Sequence, residues 1–369
     1  MYENDERVVM TLDAGGTNFV FSAIKGCREI ISPIRLDAVN DDKDRCLQTL
    51  LKGFRMVEEK LSEKPVAVSF AFPGPADYKH GVIGDLPNFP CFRGGVAMGP
   101  FLGHELGIPV FINNDGNLFA YGEALAGMLP KLNEVLAEKG SSKQYRNLLG
   151  ITLGTGFGAG VVIDGVLLTG DNGCGGDVWC MRNKKYQDLI AEESVSIRAV
   201  KRVYHELAPE DTRDLTPKDI FEIAEGTAAG NSEAAKASFA ELGEMAGDAI
   251  AHALDITDGL VVIGGGLAGA HKYIIPSMVR ELKAEVGMFS GAKFPCLQMD
   301  VLDLTTEEGM DAFLSDDSVL VKVPGSERTV RYEAGRKTGV TVSELGASTA
   351  ICLGAYAFAL AEIDRTKNK

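Results

Sequence analysis

Three times in this chain an apolar run meets a cluster of glycines. VVMTL runs into DAGGT at 13–17, LLGITL into GTGFG at 154–158, and GLVVI into GGG at 264–266. Glycine permits positive φ and lets backbone N–H groups approach an anion with no Cβ in the way. A β-hairpin uses such turns too, so each one alone is compatible with plain structure. Three of them, each at the end of a strand-like run, point to a phosphate-bearing nucleotide.

The pattern around the turns is α/β. Residues 8–12, 19–24 and 28–34 read as three strands, with Lys25 and Gly26 marking a turn. Leu47, Leu50, Leu51, Phe54, Val57 and Leu61 recur at helical spacing over 43–62, and VAVSFA and PVFIN (109–113) read as buried strands. DGNLFAYGEALAG, from 115, opens a helix. A second cycle begins at 148–153 and passes through an Asp164-Gly165 turn. Helical periodicity follows at 186–206, 232–256, 271–286 and 344–362. Two such cycles imply two similar α/β domains, 1–126 and 148–369. Residues 127–147 and 288–343 break the cycle and are expected as surface insertions, with the final helix free to pack back on the first domain.

Composition removes several classes of function. A formal net charge of −15 repels phosphate backbones and anionic membranes, so neither nucleic acid nor membrane is an expected partner. The first residues lack a basic segment followed by an apolar one, and seven cysteines without a C-x-x-C pair suit free thiols, so a cytoplasmic protein is expected. Cys174 and Cys180 offer too few ligands for zinc and are expected as small buried apolar residues. GASTAICLGAYAFALA (346–361) is short for a membrane span and rich in small residues, which suits a tightly packed buried helix. There is no GxxxxGK[ST] motif. GGGLAG (264–269) satisfies GxGxxG, but Glu285, at the spacing of the ribose-binding acid, falls inside the expected helix, which argues against a dinucleotide oxidoreductase.

LDAGGT, FPGPAD (72–77) with LPNFP (86–90), Asn113-Asn114-Asp115, LGTGFGAG (153–160) and VVIGGGLAG (261–269) together resemble the motifs of the ROK family of sugar kinases, within the actin-like, hexokinase-like ATPase superfamily. The resemblance spans nearly the whole chain. It implies a two-domain, ribonuclease H-like α/β fold with an interdomain cleft. It implies ATP and Mg²⁺ as cofactors and a small-molecule sugar as substrate. Asp115 would be the general base toward a sugar hydroxyl, and Asp13 would hold Mg²⁺ through water. Gly15, Gly16, Thr17, Gly154, Thr155 and Gly156 would line the phosphates, and Gly264, Gly265 and Gly266 would flank adenosine. Gly74, Asn88 and Asn114 would bind sugar. The family also implies a homodimer or larger homo-oligomer.

The chain departs from the family at DVWC (177–180). Where the family has ExGH and a three-cysteine zinc segment, Asp177 stands for the Glu, Trp179 for the Gly and Cys180 for the His, and RNKKYQDLI follows, so no zinc site is expected. EESVSIRA (192–199) is similar to the family's next motif and makes Glu192 the match for its second sugar-binding Glu, with Glu193 as the alternative. Trp179, the only indole, either fills the space of the missing zinc loop or stacks on a sugar. The implied activity is phosphorylation of a hexose or N-acylated hexosamine, at the 6-hydroxyl. The alternative is a sugar-binding protein impaired in transfer. With about a dozen residues before Asp13, a helix-turn-helix repressor is not expected.

Overall fold

A strand whose residues are buried on both faces belongs inside a parallel sheet covered by helices. Val9–Ala14 (β1) is such a strand, with its first four residues fully buried. In the computed structural model, which describes residues 2–14, 18–39, 41–86, 92–333 and 335–367, β1 pairs antiparallel with Asn18–Lys25 (β2). Arg28–Glu29 (β3) and Ile34–Asp37 (β4) add to β2. On its other side β1 pairs in parallel with Ala67–Ala71 (β5), which follows the helix Lys43–Glu58 (α1). The short hairpin Ala76–Asp77 (β6) and Val82–Ile83 (β7) and the helix Met98–Leu106 (α2) come next. They lead to Val110–Asn113 (β8), parallel to β5, and then to Asp115–Ala126 (α3). The order β3-β2-β1-β5-β8 brings the C-terminal ends of three parallel strands, at Asp13, Ala71 and Asn113, to one end of the sheet.

One face of this sheet packs Met10, Leu12, Phe21 and Phe70 against Phe54 of α1, with the Phe21 and Phe54 rings edge to face at 5.1 Å. The last helix, Ala347–Lys367 (α10), covers the other face with Leu353, Tyr356 and Leu360 on Val9 and Ala67. It is long and apolar enough to cross a membrane by length and composition alone. Its small residues have a packing reason, since a Cβ on Gly354 would strike the Leu118 carbonyl of α3, and one on Gly122 the Ala350 carbonyl of α10. The two helices touch backbone to backbone.

The chain continues through Met128–Glu138 (α4) into Leu148–Leu153 (β9), Phe157–Ile163 (β10) and Val166–Leu167 (β11). The helices Ile197–Leu207 (α5), Pro217–Ala224 (α6) and Ser232–Thr257 (α7) precede Leu260–Gly264 (β12) and His271–Leu282 (α8). A hairpin of Glu285–Gly287 (β13) and Lys293–Pro295 (β14) follows, then Asp300–Asp303 (β15), Glu307–Leu314 (α9), a second hairpin of Ser318–Lys322 (β16) and Thr329–Glu333 (β17), and Lys337–Val342 (β18). The second sheet runs β11-β10-β9-β12-β18-β15, and β12 is parallel to both β9 and β18. The chain forms two compact units. Residues 1–130, 160–176 and 343–369 make the first, and 131–159 with 177–342 the second. α10 therefore belongs to the first.

Several sequence expectations change here. The helix expected over 186–206 exists only from Ile197. Upstream, the Asn183 carboxamide accepts the N–H groups of Lys185 and Tyr186, a local side-chain alternative to helical bonding. Glu285 lies in strand β13, because α8 ends at Leu282. The third expected strand is broken into the short β3 and β4. Within 127–147, α4 buries Leu129, Leu132 and Leu136. Within 288–343, β15 and β18 are members of the second sheet, with Val301 and Val340 fully buried, and in the β16–β17 hairpin every strand residue but Ser318 is exposed.

Candidate active site

In open α/β sheets, ligands bind beyond the carboxyl ends of the parallel strands. In the first unit that end carries Asp13, half-buried on β1, the loop holding Gly74 beyond β5, and Asn113-Asn114-Asp115 after β8. Gly74 is exposed, and the Tyr78 hydroxyl beneath its loop donates to the Phe72 carbonyl at 2.9 Å. Gly15, Gly16, Thr17 and Asn88 lie outside the described residues.

The turn into α3 is held by amides. Asn113 is 3% exposed, and its Oδ1 accepts from Asn114 N at 2.8 Å and from Asn117 Nδ2 at 3.0 Å. Asn114 is the helix cap, its Oδ1 accepting from Gly116 N at 2.8 Å. Because Asn114 caps the helix, Asp115 is its first residue, and its carboxylate is spared the usual capping role. Asp115 Oδ1 accepts from Gly116 N at 2.9 Å. The side chain is reachable from solvent, yet the protein around it strips enough water to raise the carboxyl above the ordinary aspartate range, with the Gly116 N–H pulling the other way. An accessible carboxylate of raised basicity at a strand end is a proton acceptor in waiting.

In the second unit the turns after β9 and β12 are neighbours, because Gly264 pairs with Thr152 across parallel strands. The Gly154–Gly156 turn is closed by Gly154 N to the Gly156 carbonyl at 3.1 Å, and Ile197 N at the start of α5 donates to the Gly154 carbonyl at 2.9 Å. The carboxylate of Glu192 lies under it, Oε2 accepting from Phe157 N at 3.1 Å while Arg198 reaches Oε1 at 3.3 Å and Glu193 at 2.8 Å. A Cβ on Gly156 would sit 2.5 Å from Glu192 Oε2. Gly265 has φ +89°, and a Cβ there would strike the Leu153 carbonyl, the atom that accepts from Leu267 N at 3.0 Å. By contrast, nothing lies within 4 Å of a Cβ on Gly154 or Gly266. Thr155 is exposed at the tip.

Glu192 thus braces the first glycine turn of its unit, with its oxygens already engaged. Asp177 is exposed and precedes the 3₁₀ turn Val178–Cys180. Trp179 is 41% exposed, so its ring is only partly packed. Cys174 and Cys180 are exposed rather than buried, since they lie on a glycine-rich loop and a short turn with little chain around them. Asn117 and Arg198 carry no sequence expectation, and Asn113 none beyond its place in the Asn113-Asn114-Asp115 motif. The signal for Asn113 and Asn117 was the i, i+4 amide pair in NNDGN, and Arg198 shows itself only once Glu192 and Thr155 are placed.

The ROK family model matches residues 9–303. A glucokinase from Thermotoga maritima is 29% identical over 168 residues, which are 45% of this chain and 48% of that protein, so the chain spans about half the length of the curated relative it matches. The structure is similar to that of a glucokinase from Parabacteroides distasonis, 60% identical, with a TM-score of 0.88 over 98% of this chain and 99% of that one. It shares its fold with a ROK hexokinase from Thermus thermophilus, 20% identical, at a TM-score of 0.63 over 96% of this chain and 99% of the other. With its glycine turns at the ends of parallel strands and an Asn-Asn-Asp turn opening a helix, this chain belongs to the ROK family.

Proposed function

We propose that this protein is an ATP-dependent kinase acting on the 6-hydroxyl of a hexose or N-acylated hexosamine, with D-glucose the first candidate and Asp115 the general base. The observation that carries the reading is Asp115 itself: an accessible carboxylate made more basic by its surroundings, at a strand end where Asn114 has relieved it of capping the helix. The 60% identity to the Parabacteroides glucokinase over nearly its whole length is why D-glucose comes first.

Phosphoryl transfer asks a protein mainly for positioning and charge stabilisation, with one group to accept the attacking hydroxyl's proton. Gly74, Asn88, Asn114 and Asp177 would hold the sugar. Asp115 would take the proton from its hydroxyl. Gly154, Thr155 and Gly156, with Gly15, Gly16 and Thr17, would hold phosphates on backbone N–H groups, and Gly264, Gly265 and Gly266 would border adenosine. The open space at Gly154 and Gly266 suits this role. Asp13, a half-buried carboxylate ending a parallel strand, has the oxygen chemistry for magnesium held through water. Bound Mg-ATP supplies the phosphoryl group and neutralises its charge. We assign Glu192 to bracing the phosphate turn through Phe157 N rather than to the sugar.

A second reading, a sugar-binding protein without transfer activity, is favoured by that engagement of Glu192, which removes one carboxylate from the expected sugar set. ADP release in Mg-ATP across a panel of hexoses, measured beside sugar binding, separates the two: turnover supports the kinase, and binding of a sugar with no turnover of any supports the second reading. The kinase reading carries a cytoplasmic homodimer or larger homo-oligomer, which sedimentation checks.

A further inference from the structure

The first unit contains a cavity of about 590 Å³ to which none of the residues assigned above to sugar, magnesium or nucleotide contributes. Its walls are the β6–β7 side of the chain at 76–80, the end of β8 at Asn113, Asn117 in the first turn of α3, the loop 169–173, and α10 at Phe358, Glu362 and Arg365. That volume is in the range of small-molecule sites, about 300–1,000 Å³.

The charges in the wall nearly cancel. Asp77 takes the ring nitrogen Nδ1 of His80 at 2.7 Å, and Glu362 pairs with Arg365 at 2.6 Å. Lys79 and Asp171, one cation and one anion, are left without an ion pair among the described residues. A wall with no surplus of cations does not select a phosphate. Carboxamides dominate what remains: Asn172 on the loop, and Asn113 and Asn117 in the wall. Asn117 is 3% exposed, its Nδ2 donates to Asn113 Oδ1, and its Oδ1 is buried with no partner among the described residues, so this amide lies beneath the cavity surface and shapes the wall. Phe358 adds an apolar ring. The exposed Asn172 amide, which can both donate and accept, the Asp171 carboxylate and an aromatic ring suit a hydroxyl-rich, uncharged ring.

We propose that this cavity is a second carbohydrate site, one that binds a neutral hexose or short saccharide without transforming it. It connects to the first site through one residue, since Asn113 lines the cavity while its Oδ1 holds Asn114 N of the Asp115 turn.

Equilibrium dialysis of the full chain with D-glucose and, separately, with maltose tests it, using wild type and the double substitution Asp171→Ala, Asn172→Ala. Both positions are exposed on a loop, so the fold survives the change. The expected result is one more saccharide bound per wild-type chain than per variant chain, with the KM and kcat for any hexose turned over the same in both. Equal stoichiometry in the two proteins overturns the proposal, as does variant-sensitive uptake of inorganic phosphate in place of either sugar. The count reads the cavity whether or not the protein turns sugar over, so its failure is distinct from failure of the kinase reading.

Discussion

At the residue scale the proposed function makes one prediction in each unit, at Asp115 and at Gly156. Because burial raises the Asp115 carboxyl, its ionised form is lost earlier on acidification than that of an ordinary aspartate. The acid limb of the kcat/KM profile for sugar is therefore expected above the ordinary aspartate value of about 3.9, and a limb at or below that value contradicts the assignment. At Gly156 a methyl group would press on Glu192 Oε2, which is tied to Phe157 N and beside Arg198. Gly156→Ala is expected to raise the KM for ATP about ten-fold, the equivalent of one hydrogen bond of ~1.4 kcal/mol, while the KM for sugar stays unchanged. Initial-rate kinetics with each substrate varied would show whether the defect falls on the nucleotide side.

At the scale of elements, α3 does more than present Asp115. Near its other end Glu123 is fully buried, and its carboxylate accepts from the Ser343 hydroxyl and from Met128 N at 2.8 Å. Burial raises this carboxyl, with the Ser343 and Met128 donors opposing. A folded pKa above the unfolded one means that the cost of ionising Glu123 is absent below the unfolded value of about 4.3 and grows as pH rises through the folded value. Glu123→Leu leaves both donors unmet and is expected to cost about 2–5 kcal/mol. Glu123→Gln should cost less, and its stability relative to wild type should improve from pH 4 to pH 8 in urea melts; a difference that moves the other way would contradict the sign. In the second unit, Gly265→Ala forces a left-handed residue against the Leu153 carbonyl and is expected to lose on the order of 3 kcal/mol by the same melts. The strand ends were readable in the sequence, because an apolar run followed by glycine or by Asn-Asn-Asp has few other uses. The stretch before α5 was not, since Tyr186, Leu189, Ile190 and Ile197 keep helical spacing while Asn183 takes over the backbone locally. Nor was the core membership of β15 and β18, whose partners lie far away in sequence.

Taken as a whole molecule, the chain's identity lay in motifs hundreds of residues apart, and their order was visible before any contact was known. What stayed hidden was which polar groups are already spoken for. Glu192 reads as a sugar ligand by its motif and serves as a brace by its bonds, and Cys174 and Cys180 read as buried and stand exposed. With Cys180 in the histidine's place, the purified protein is expected to carry no stoichiometric zinc, which metal analysis checks. The most direct test of the central claim compares wild type with Asp115→Asn, following glucose 6-phosphate formation from D-glucose and Mg-ATP beside D-glucose affinity. The account predicts an unchanged glucose affinity and a kcat lower by about 10²–10⁴-fold in the variant. A variant that forms glucose 6-phosphate as fast as wild type would contradict it.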